Sequence, residues 1–186
     1  MIDLGKMLLD HYTEYLGDYI DSDVYSDDEH QIQLLGFDKA IEDCLVFSTL
    51  GLSNYSYSIH NCCEIIMATD CDYDACAEFF MNAIFYAVQN HMDFGRGIWI
   101  SGADNISERF SKRHHKTAIY FTSAYILPEE FSMVEDKCKI YMGFFISQEE
   151  VDYIRKYGCR KFEDLLEEKE VDVINLDRKS AVAIRP

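Results

Sequence analysis

The chain has 186 residues, 48% of them hydrophobic, with 34 acidic against 17 basic side chains and a formal charge of -17. That length favours a single domain spanning 1–186, with the acidic stretch 1–43 as part of it, and a core that needs neither disulfides nor a structural metal. The charge has the wrong sign for neutralising phosphates, which excludes nucleic-acid binding through a broad basic face.

No apolar run approaches the ~18 residues of a membrane span, and the opening Met1-Ile2-Asp3-Leu4-Gly5-Lys6 lacks a signal pattern, so a cytoplasmic protein is expected. The seven cysteines, an odd number, lie mostly in core-like segments and are expected as reduced thiols.

Met7, Leu8, Tyr12, Tyr15, Leu16 and Tyr19 recur at helical spacing, with Asp10, Glu14 and Asp18 opposite, which predicts an amphipathic opening helix. Asp18 to Glu29 then reads as an acidic loop. Twelve acidic residues face only Lys6 and Lys39 before residue 44, so the charge is lopsided towards the N-terminus.

Gln31 to Phe37, Cys44 to Leu50 and Cys62 to Thr69 have the short apolar composition of strands, punctuated by Gly36 and Gly51. From Ala75 to Met92 the period becomes helical and apolar nearly all round, predicting a buried helix that ends near Phe94-Gly95. Gly97 to Ser101, Thr117 to Tyr125 and Cys138 to Ile146 return to strand composition. Ser147 and Glu150 have capping-box spacing, flanked by the staple Ile146 and Val151. That helix runs to Tyr157, Gly158 stops it, and a second helix carries Phe162, Leu165 and Leu166 inward. Strands bracketed and interrupted by helices predict an α/β fold of the α+β kind, a mixed sheet sandwiched between helices.

Several patterns invite chemistry. Asp70, Asp72 and Asp74 alternate like calcium ligands, but Ala75 and Met81 stand where the loop needs glycine and glutamate, so helix capping explains them better. His60, Cys62, Cys63, Cys71 and Cys76 have soft ligand atoms without zinc-site spacing, and no metal or other cofactor is expected. Gly51-Leu52-Ser53 is no nucleophile elbow, and Gly95-Arg96-Gly97 is too short for a phosphate loop. Glu135-Asp136-Lys137 has the Glu-x-Lys spacing of some metal-dependent nucleases, yet lies in a charged connection where a solvated turn is favoured. Arg109, Lys112, Arg113 and Lys116, with His114 and His115, form the one basic island, read as offsetting the acidic remainder.

Leu45-Val46-Phe47-Ser48-Thr49-Leu50-Gly51-Leu52-Ser53 resembles the opening motif of the suppressor-of-fused domain family. Glu64, a long helix, Ile146 to Glu150, Gly158, Leu165-Leu166 and Val171-Asp172 to Asp177-Arg178 follow in the family's order, so the resemblance covers Leu45 to Val182. Phe145 departs from it, standing where many members have proline. The resemblance implies a non-enzymatic domain that works by binding proteins, and supplies no catalytic residues. Small bacterial members resemble immunity proteins, so the partner expected is a protein such as a basic toxin domain, neutralised by direct binding. Within the matched pattern, Thr49, Gly51, Ser53 and Glu64 are expected to organise the strand turn. Ser147 and Glu150 cap the helix, and Asp172 with Arg178 pins the C-terminal segment by a charge-assisted bond. For partner contact, the acidic stretch Asp21, Asp23, Asp27, Asp28 and Glu29 with Tyr19 and Tyr25 has interface composition. The alternatives are a metal-dependent hydrolase or nuclease using Glu135 and Lys137, or a self-associating module in which the basic island meets another copy's acidic region.

Overall fold

The computed structural model describes residues 3–101 and 108–182. Its strands are β1 (Asp21–Ser26), β2 (Gln31–Phe37), β3 (Leu45–Leu50), β4 (Cys63–Thr69), β5 (Trp99–Ser101), β6 (Ala118–Ser123), β7 (Met133–Val134) and β8 (Cys138–Ile146). They form one mixed sheet in the order β1-β2-β3-β4-β8-β6-β5, with β7 pairing the start of β8. All pairings are antiparallel except β4 with β8. The parallel pair needs a long crossover, and most of the chain between Thr69 and Cys138 supplies it.

The helices are α1 (Leu4–Leu16), α2 (Tyr73–Gln89), α3 (Glu108–His114), α4 (Gln148–Tyr157) and α5 (Cys159–Glu168). Strand alternation divides the core between the two faces. Cys63, Ile65 and Met67 of β4 pack with Phe79, Phe80 and Ile84 of α2 and Phe110 of α3. Ile66 and Ala68 face the other way, with Leu8 and Tyr12 of α1, Val151 of α4 and Phe162 of α5. Gly143 in β8 permits the tight approach of β6, because a Cβ there would lie 3.1 Å from Ile119 and 3.2 Å from Phe121.

Two expectations for the N-terminal quarter are corrected. α1 stops at Leu16 because Gly17 adopts φ 86°, so Tyr19 lies beyond the helix although its spacing continues the stripe. Asp21–Ser26 is a strand, not a loop: its backbone pairs with β2 from Asp21 opposite Gly36 to Ser26 opposite Gln31. The segment is poor in strand formers, and cross-strand pairing overrides its local preference.

Two fully buried carboxylates fix the connections. Glu64, in β4, accepts from the Thr49 hydroxyl at 2.6 Å and from the amides of Gly51, Leu52 and Ser53 at 3.0 to 3.2 Å. Gly51 has φ 108°, which turns the chain out of β3 into a short 3-10 turn, Leu52–Tyr55, with its amides aimed at the carboxylate. Burial pushes the Glu64 carboxyl above its ordinary value, against the pull of Thr49 and the Ser53 and Gly51 amides.

Glu150, in the first turn of α4, reaches back to the Ser147 amide in a full capping box. It also accepts two bonds from the Arg178 guanidinium, at 2.6 and 3.1 Å, and one from the Ala181 amide at 2.8 Å. Arg178 thus pins the C-terminal segment through Glu150, while Asp172 accepts from the amides of Ile174 and Asn175 in its own turn.

Glu64→Gln turns an N–H2 towards a nest of N–H donors. We expect a loss of about 2 kcal/mol or more in urea unfolding. Arg178→Met leaves Glu150 buried without its cation, and should cost about 3–5 kcal/mol in the same measurement.

Candidate interaction site

β1 is an edge strand: it pairs with β2, and among the described residues no strand covers its outer side. Strand periodicity puts Asp21, Asp23 and Tyr25 on one face, the face over which α2 lies. Between them and the start of α2 runs a groove of about 140 Å³. Leu34 and Phe47 contribute apolar lining, and the charged lining is Asp21, Asp23 and Asp74. Tyr25 is half-buried there, and its phenol is pushed up, first by burial and then by the negative charges of Asp23, Glu78, Asp74 and Asp21. Three carboxylates, Asp21, Asp23 and Asp74, therefore share the groove with this one aromatic ring.

The remaining residues of the acidic stretch divide into two roles. Asp27 is structural: it accepts from the amides of Glu29 and His30 and from the side chains of His30 and Gln89, tying the β1–β2 hairpin to the end of α2. Its carboxyl is pushed up by the little burial it has, and these bonds more than reverse that, leaving it well below the ordinary range. Asp28 and Glu29 are exposed at the hairpin tip, and Tyr19 is 47% exposed just before β1. Val24, on the outer face of β1, is 58% exposed.

The soft-ligand set of the sequence does not assemble. His60 pairs with exposed Asp93 at 2.8 Å, Cys63 is buried in β4, and the Cys76 thiol donates to the Cys71 carbonyl at 3.5 Å. All seven cysteines are free thiols. Glu135, Asp136 and Lys137 are exposed in the β7–β8 turn, where the first two adopt φ 51° and 54°. Arg96, between its two glycines, pairs with Glu163.

The aspartate cluster before α2 behaves differently from the capping role expected of it. Asp72 occupies the N-cap position with φ 49° and makes no side-chain cap. Its carboxylate instead accepts from His114 Nε2 at 2.6 Å and Arg113 Nη1 at 3.0 Å. His114 is buried, and its Nδ1 bonds Asp177. Lys116 is buried too, donating to the carbonyls of His114 and Arg178, and burial lowers its ammonium to about 8. The basic island therefore engages its own chain.

Cys71, His114 and Asp177 lie together and superficially resemble a nucleophile triad. They lack its chemistry. The Cys71 thiol is pushed up to about 12 by burial and by Asp70, Asp177 and Asp72, and both nitrogens of His114 already face carboxylates.

The sequence pattern of the family described as Suppressor of fused protein (SUFU) matches residues 28–179. This chain belongs to the suppressor of fused family. It is 25% identical over 153 residues to a Bacillus subtilis (strain 168) protein named Immunity protein YqcF, covering 78% of each chain. The crystal structure of a putative SUFU homolog from Neisseria gonorrhoeae FA 1090 superposes with a TM-score of 0.76 at 12% identity, covering 97% of this chain and 98% of the other. At that identity the match establishes the fold: the expected mixed sheet between helices is the suppressor of fused architecture.

Sequence reading missed the residues that complete these sites in this suppressor of fused chain. Asp74 carries no interface signal, because only the packing of α2 beside β1 brings it into the groove with Tyr25. Asp72, His114 and Asp177 are separated by 42 and 63 positions and could be joined only in three dimensions. A second cleft, about 530 Å³ between β6 and α5, was likewise invisible. Glu163 lies on its wall and accepts from Arg96, at 2.6 Å for the shortest bond, and from the Tyr120 and Thr122 hydroxyls. Burial pushes the Glu163 carboxyl up, and these donors more than offset it, holding it below its ordinary value.

A carboxyl lowered by folding adds stability above the unfolded-state value of about 4.3 and loses it as pH falls through the folded value. Glu163→Gln should therefore be less stable than wild type at pH 7, by about 1 kcal/mol or less since Arg96 is exposed. The two urea curves should converge as the pH is taken below 4.

Proposed function

We propose that this chain is a non-catalytic binding protein of the immunity type, which neutralises a toxin by docking a basic surface of it on the acidic edge formed by β1 and the start of α2. The observation that carries the reading is the groove that Asp21, Asp23 and Asp74 line together with Tyr25, beside an edge strand. An aromatic ring among carboxylates receives a lysine or arginine side chain by charge and by contact with its face. The outer backbone of β1 offers hydrogen-bonding groups to an added strand. Complementary charge accelerates encounter, and the formal charge of -17 makes this strongest for a cationic partner. The name of the Bacillus subtilis relative supports the same class of role.

The alternatives have weaker footing. A hydrolase built on Glu135 and Lys137 would work from an exposed turn, where both side chains are open to water. Self-association through the basic island loses its donors, because Arg113, His114 and Lys116 are engaged internally.

The test is co-expression with the C-terminal domains of toxins encoded beside the gene, scored by growth and by isolation of a complex. Protection by a stable complex, with association slowed at least tenfold by Asp23→Lys plus Asp74→Lys at low salt, is the expected result. Unchanged association rates and salt dependence in that variant would refute the acidic edge as the docking site. Failure to protect against any of these domains would refute the immunity role.

A further inference from the structure

We propose that Cys71, His114 and Asp177 form a binding site for a single divalent cation of the zinc class, with Asp72 as the group that orients the histidine. The Cys71 sulfur, a His114 ring nitrogen and an Asp177 carboxylate oxygen all lie within 4.8 Å of one another. A tetrahedral zinc ion with bonds of about 2.0–2.3 Å sets its ligand atoms roughly 3.5 Å apart, so modest side-chain movement closes the set. One thiolate, one imidazole and one carboxylate suit zinc rather than magnesium or calcium, and three protein ligands leave a fourth position for water.

The surroundings fit a metal better than they fit any other chemistry. His114 is buried with Nδ1 towards Asp177 and Nε2 on Asp72 at 2.6 Å. Once Nδ1 binds a cation, Nε2–H still donates to Asp72, the carboxylate–histidine–metal arrangement that fixes the tautomer and raises ligand basicity. Binding requires Cys71 as thiolate and Nδ1 without a proton, so uptake of the metal releases protons.

The three ligands come from the loop before α2, the end of α3 and the C-terminal segment. The ion would therefore bolt together pieces far apart in the chain. Asp177 neighbours Arg178, whose guanidinium holds Glu150, so the metal would extend an anchor line that already runs along the C-terminal segment.

The experiment uses the whole chain, stripped with a chelator and titrated with zinc and with cobalt(II). We expect one equivalent of tightly held zinc and a higher unfolding temperature with zinc. The cobalt form should show thiolate charge-transfer absorption with the intense visible bands of a four-coordinate site. Cys71→Ser should lose the charge-transfer band and the thermal shift, and Cys62→Ser should keep both. Asp72→Asn should weaken binding by about 10–100-fold while leaving the ligand set intact. Asp177 is exposed, so Asp177→Asn tests the third ligand in a protein that still folds, and should also weaken binding. Absence of a zinc equivalent in wild type would overturn the site. So would a cobalt spectrum unchanged by Cys71→Ser, which would place the metal on other thiols.

Discussion

A carboxylate buried in the middle of a sheet is tolerable only when every lone pair finds a donor, and Glu64 meets that condition at the centre of this fold. It lies on β4, the middle strand of the order β1-β2-β3-β4-β8-β6-β5, and is fully buried. Three of its four donors are backbone amides of one short turn, at Gly51, Leu52 and Ser53. The requirement for satisfaction therefore dictates the shape of the chain leaving β3. It also couples β3 to β4 twice, since the Thr49 hydroxyl donates to Glu64 while accepting from the Ile65 amide. Everything on the acidic side of the molecule hangs from this pair: β2 is registered on β3, β1 on β2, and the groove on β1.

Charge is distributed by the same economy of donors and acceptors. Where the fold buries or half-buries a carboxylate it brings hydrogen-bonding partners, so Arg178 goes to Glu150, and Arg113 and His114 go to Asp72. Basic residues are scarce, 17 against 34, and those drawn inward are taken from the surface balance. The acidic edge at β1 is what remains where this internal pairing stops. Its negative field is thus a consequence of how the rest of the chain is satisfied as well as of local composition.

What was legible in the sequence is what is decided locally. The capping box at Ser147 and Glu150 needs residues three apart, and the buried stripe of α2 needs only its own period, so both could be read directly. β1 could not, because Asp21 to Ser26 becomes a strand through β2 and not through its own preference. The turn residues Thr49, Gly51, Ser53 and Glu64 were marked by family resemblance, whereas the reason for them, one carboxylate collecting four donors, is geometric. The same holds for Arg178: its charge was evident, but its partner Glu150 lies 28 positions away and was already accounted for as a helix cap.

The double use of Glu150 shows how a local signal can conceal a global one. Its Oε2 closes the capping box on the Ser147 amide, at a helix N-terminus that favours negative charge. Its Oε1 accepts from the Ala181 amide, and the Arg178 guanidinium spans both oxygens. A helix cap alone could be exposed and would tolerate glutamine; full burial beneath the C-terminal segment makes the charge obligatory, because Arg178 would otherwise be buried without a counter-ion. The capping box is then the part of a tertiary clamp that happens to be written within four consecutive residues.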